Sequence, residues 1–153
     1  MERMYKSFRL AYETKYWLNE LVKYQNDKML RNLQGKTTTD IEKDILQEYS
    51  LEGVSATLTL NVTTGSVIDL AVQQAKEVLT EEWNELAKEV DMAKREIKDV
   101  DMEDSTPKIY MLTQTYKELQ RIQLQMKEDN HRVPKIAYII KLAVYRLYKA
   151  ISN

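Results

Sequence analysis

Side chains that attack, shuttle protons or grip metals are sparse in this sequence. It contains no cysteine and a single histidine, His131, so disulfides, thiolate nucleophiles and thiolate metal sites are excluded together. An imidazole with no second nitrogen or sulfur donor reads as a turn residue, not a metal ligand. Tyr5, Tyr12, Tyr16 and Tyr110 carry hydroxyls able to attack a phosphate, but the histidine trio or arginine clusters that tyrosine recombinases and relaxases use are missing. The acidic run DVDMED at 99–104 lacks the glycine and the late glutamate of a calcium loop. No glycine-rich phosphate loop is present. These residues predict a protein that is not an enzyme and uses neither metal nor cofactor.

What remains is charge. The net charge is -1, yet residues 1–36 hold 8 Lys and Arg against 4 Asp and Glu, residues 37–106 hold 6 against 17, and residues 107–153 hold 9 against 3. Two basic ends flank an acidic middle. Phosphate binding depends on local cationic surface and counterion release, so the ends fit a nucleic-acid partner despite the neutral total.

The elements that must position those charges are mostly helical, since glycine and proline number only 3 and 2. MYKSFRL alternates, with Phe8 and Leu10 on one side and Ser7 and Arg9 on the other, and predicts a strand. AYETKYWLNELVKYQ follows, with Thr14, Trp17, Leu18, Leu21 and Val22 on one helical face. Gly35 precedes a short helix in TTTDIEKDILQEY, where a threonine cap and an early aspartate lead Ile41, Ile45 and Leu46. VSATLTLNV, after Gly53, reads as a second short strand or an extended connector. Thr63 or Thr64 caps a helix through GSVIDLAVQQAKEVL, which continues past Thr80 or restarts there. From Leu79 a seam runs through Trp83, Leu86, Val90, Ala93 and Ile97 at helical spacing. Residues 99–107 read as a linker. KIYML alternates again, QTYKELQRIQLQMKED is helical, NHRV turns, and PKIAYIIKLAVYRLYKAI is an apolar last helix, with Pro134 placed in its first turn.

The two ends share one order: strand, helix, turn, helix. At an offset of 101, Phe8 meets Ile109, Leu10 meets Met111, Thr14 meets Thr115, Leu18 meets Leu119 and Leu21 meets Ile122. At an offset of 72, Ile68 to Val72 meets Ile140 to Val144, so the first copy carries an insertion of about thirty residues. This order resembles the ribbon-helix-helix family of DNA-binding proteins, over about 4–25 with 61–78 and again over 107–152. The fold class expected is mainly α, a tandem ribbon-helix-helix pseudo-dimer with an inserted helical segment and a long connecting helix. The units are 1–78, with an insertion at 26–60; 79–106, an acidic connecting helix and linker; and 107–153.

In that family two protomers pair their strands antiparallel, because a lone strand leaves an open edge and an unburied apolar face. Here residues 5–10 are expected to pair with 108–112 inside one chain. The ribbon fits the major groove, where outward side chains reach base edges. Those are Tyr5, Ser7, Arg9, Lys108 and Tyr110, with Arg9 the best match to guanine. The resemblance also implies phosphate contacts at the start of the second helix of each unit, at Thr63, Thr64 and Gly65 and at Arg132 and Lys135. Pro134 would remove one donor there, with Arg132 and Lys135 supplying charge instead.

The resemblance implies double-stranded DNA as partner and a role as a relaxosome accessory factor or a repressor of a plasmid or mobile element. A relaxase or another protein on the acidic segment, or a second copy on DNA, would complete the assembly. The absence of cysteine, of a signal-like N-terminus and of any run of ~18 apolar residues favours a cytoplasmic protein without a membrane partner. The competing expectation is an all-helical interaction or scaffold protein, whose strand-like ends are helix extensions and whose Leu79 to Ile97 seam binds another chain.

Overall fold

The computed structural model describes residues 2–97 and 106–152. The proposed linker and the acidic run at 99–104 therefore lie almost wholly outside the described residues. In chain order the elements are β1 (Arg3–Ser7), α1 (Tyr12–Leu33), α2 (Thr38–Glu48), α3 (Thr64–Gln74), α4 (Thr80–Ala93) with a 3-10 turn at Lys94–Glu96, β2 (Lys108–Leu112), α5 (Thr113–Asn130) and α6 (Ile136–Ser152). The protein is mainly helical with one small sheet.

Helix α6 is the hub of the helical layer, touching α1, α3, α4 and α5. Its sequence explains that position: Ile139, Ile140, Leu142, Ala143, Val144 and Leu147 are all buried, a set too wide for one helical stripe, which only a helix covered on several sides can hide. Trp17 of α1 stacks on Tyr145 at a centroid distance of 4.8 Å. Trp83, Leu86 and Val90 of α4 are buried in the same core. The apolar seam is thus covered from within the chain, and only its first member departs: Leu79 stands at the N-cap of α4 and is 70% exposed. The chain turns between Ala75 and Leu79, so α4 is a restart and not a continuation of α3.

The acidic outer face of α4 is partly neutralised by α6. Glu82 pairs with Arg146 and Glu89 with Lys149, each at 2.9 Å. The hydrogen bond that Lys149 donates to Glu89 raises the affinity of Lys149 for its proton.

One local expectation changes and one open alternative is resolved. Helix α1 does not stop near Asn26 but runs to Leu33, ending with Gln34 and Gly35 in the left-handed region. Its fully buried side chains end at Leu21; beyond it Val22, Met29 and Leu33 are the partly buried apolar residues, a stripe too sparse to announce the last three turns. The segment VSATLTLNV forms no strand or helix and is the connector of the two alternatives. Helix α2 forms where its cap predicts, with Thr37 and Asp40 in a reciprocal capping box, but it buries no residue. Among the described residues no helix is long and apolar enough to cross a membrane.

Candidate nucleic-acid interface

The ends of the chain meet. β1 and β2 pair antiparallel, with Arg3 opposite Leu112, Met4 opposite Met111, Tyr5 opposite Tyr110, Lys6 opposite Ile109 and Ser7 opposite Lys108. The strand expected at 5–10 begins two residues earlier and its regular pairing ends at Ser7. Beyond it, the Phe8 N–H donates to the Pro107 carbonyl at 3.4 Å. A proline has no N–H to return, so the ladder weakens there by one bond.

Pleating sorts the side chains. Ile109 and Met111 are buried, with Met4 and Phe8 packed against the same core. Tyr5, Ser7, Lys108 and Tyr110 are exposed on the opposite face, and Arg9 is exposed beyond the end of β1. Lys6 occupies an inward position and is only partly buried, its ammonium 4.7 Å from the ring centre of Tyr116. The outer face is dominated by two aromatic rings. Tyr5 and Tyr110 stack with centroids 4.5 Å apart and planes tilted by 34°, while remaining 66% and 45% exposed.

Arg3 is the residue that the sequence reading missed. Its guanidinium lies 5.6 Å from the centre of the Tyr110 ring and donates to Asp69 of α3 at 3.1 Å. The second oxygen of Asp69 accepts the Leu112 N–H at 3.0 Å. One largely buried carboxylate thus ties both strands to α3. Extending the alternation two residues toward the N-terminus would have placed Arg3 on the outer face; its partner in α3 has no signal in the sequence.

The start of α3 sits directly on β2. Thr63 caps it, with its side chain accepting from the Ser66 N–H and Ser66 Oγ accepting from the Thr63 N–H. Thr63 is exposed and Thr64 half-exposed, but Gly65 is buried. A Cβ at Gly65 would lie 1.9 Å from the Tyr110 carbonyl oxygen. Gly65 therefore serves first to let α3 approach the strand, and only its backbone N–H faces the helix end. The corner between α5 and α6 also differs from expectation. α6 begins at Ile136, its first bonds running from the Tyr138 and Ile139 N–H groups to the Lys135 carbonyl. Pro134 precedes the helix and costs it no donor; its carbonyl instead accepts from the Gln123 side chain at 2.7 Å. Arg132 and Lys135 are exposed on this corner. His131 caps α5 in the left-handed conformation, with its N–H on the Lys127 carbonyl.

Chemically the surface offers a stacked aromatic pair, a hydroxyl, cations and the N-terminal ends of two helices. Among the described residues no group of three or more His, Cys, Asp or Glu could hold a metal. Compared with protein-family profiles, curated proteins and solved structures, the chain matches none.

Proposed function

We propose that this chain binds double-stranded DNA by laying the β1–β2 ribbon in the major groove. The observation that carries the reading is the antiparallel pairing of two strands about a hundred residues apart, with Tyr5, Ser7, Lys108 and Tyr110 left exposed on one face. A two-stranded ribbon whose inner face is buried and whose outer face is aromatic and basic has the width and chemistry of a groove reader.

The element starts support a tandem ribbon-helix-helix arrangement. α1 and α5 begin at Tyr12 and Thr113, an offset of 101, and α3 and α6 begin at Thr64 and Ile136, an offset of 72. On this reading Arg9 joins the base-facing set, and Thr63, Thr64, Arg132 and Lys135, with the N–H groups opening α3 and α6, hold phosphates. A relaxosome accessory factor or a repressor of a mobile element, working in the cytoplasm, is the role that this architecture suggests, and it rests on analogy. The rival scaffold reading draws less support, because Trp83, Leu86 and Val90 of its seam are buried within the chain.

The test is duplex binding by the full chain across a salt series. Binding that weakens steeply with salt in the wild type, with a shallower slope in Lys135→Ala, is expected. No duplex retention at low salt would refute the proposal.

A further inference from the structure

The ribbon is lopsided about its own centre. Ser7 pairs with Lys108, and these two residues are also related by the offset of 101, so they mark the point about which the two units would be symmetric. On one side the next outward row is Tyr5 opposite Tyr110. On the other, the Phe8 N–H reaches the Pro107 carbonyl, and continuing the β1–β2 register one residue further would bring exposed Arg9 beside exposed Thr106. A self-symmetric ribbon would show the same residues in both rows.

The two rows offer different chemistry. The tyrosine row is a preformed slab: the rings already stack at 4.5 Å, and Arg3, anchored by Asp69, braces Tyr110 from the outer end. Little side-chain freedom is left to lose on binding. The thymine C5 methyl is the apolar feature of the major-groove edge, and an exposed aromatic slab is suited to it. The arginine row carries a guanidinium whose planar shape matches the two acceptors of guanine, which on binding would replace the contacts Arg9 makes within the chain.

Spacing links them. Outward residues of a strand recur every ~6.8 Å, which is about two base-pair steps at ~3.4 Å each. Tyr5 and Arg9 are two outward steps apart, hence about four base-pair steps along the groove.

We infer that the ribbon reads a directional target, with thymine under the Tyr5 and Tyr110 pair and guanine about four base pairs away under Arg9. This rests on the major-groove reading proposed above. Its test is selection of bound duplexes from a random pool by the full chain, followed by replacement of each selected thymine with deoxyuridine, which removes only the methyl group. A non-palindromic motif with thymine and guanine at that separation is expected. Deoxyuridine should weaken wild-type binding several-fold and leave a Tyr5→Ser/Tyr110→Ser variant unaffected, and Arg9→Ala should lose about tenfold of its guanine preference. Circular dichroism of each variant checks that it is folded, and Tyr5→Phe, which keeps the ring, should retain the methyl effect. A palindromic motif, indifference to the methyl group, or tighter binding of unpaired strands that is lost with the tyrosines would overturn the inference while duplex binding stands or falls separately. Failure to bind any duplex would instead remove the groove reading itself.

Discussion

Gly65 at the start of α3 and the carbonyl of Tyr110 in β2 approach so closely that a methyl group on Gly65 would overlap the carbonyl oxygen, at 1.9 Å. The obstacle is backbone in a paired strand, so it cannot swing aside as a flexible side chain would. Gly65→Ala should therefore destabilise the protein by about 3 kcal/mol or more, above the ordinary cost of overpacking. Chemical denaturation measures it. A loss below about 1 kcal/mol would mean that α3 and β2 slide apart cheaply.

Asp69 joins three segments through two oxygens, one on the Arg3 guanidinium and one on the Leu112 N–H. Asp69→Ala removes both acceptors and should cost about 2–3 kcal/mol. Asp69→Asn keeps an acceptor for Leu112 and should cost less, since Arg3 remains one-third exposed and water can replace its lost charge partner. The ordering of the two variants in thermal unfolding is the check; equal losses would place all the stabilisation on the ion pair.

Lys141 of α6 and Glu13 of α1 form an ion pair of 2.9 Å with both side chains mostly buried. Removing one partner strands the other in a poor solvent, so Glu13→Leu or Lys141→Met alone should cost about 3–5 kcal/mol, whereas the double replacement should recover most of that loss. A double-mutant cycle measured by denaturation gives the coupling directly. Additive single effects would show that the pair is already well solvated.

Asp40 closes the capping box of α2, accepting the Thr37 N–H at 2.9 Å. That backbone hydrogen bond, with a further one to the Thr37 side chain, holds the Asp40 carboxyl below the usual aspartate range. A depressed folded-state value means that the contribution is fully present above the ordinary aspartate range and is lost as the pH falls through the folded value. Because α2 buries nothing, it should fray on acidification before the core helices do. Amide exchange along Thr38–Glu48, followed from neutral to acid pH, reads this out. Asp40→Ala, which removes the acceptor, should show low protection factors over these residues at every pH.

Much of this fold was legible because it is written in local chemistry. The 3.6-residue periodicity of Trp17, Leu18 and Leu21, and of Trp83, Leu86 and Val90, marks faces that do become buried. The Thr37 and Thr63 caps start helices where hydroxyls accept orphan N–H groups. Alternation in MYKSFRL and KIYML sorted Tyr5, Ser7, Lys108 and Tyr110 to one face, since a strand's period of two admits no other assignment. The distal part of α1 escaped, because its apolar positions, Val22, Met29 and Leu33, are sparse and only partly buried.

Only the tertiary structure decided the rest. The register of Tyr5 on Tyr110 depends on how Met4, Ile109 and Met111 share one core, an arrangement no single strand can specify. The recruitment of Arg3 depends on Asp69, 66 residues away, and the burial of Gly65 on a strand that follows it by 45 residues. Periodicity fixes which face of an element turns inward; which distant element receives that face is set by packing across the whole chain.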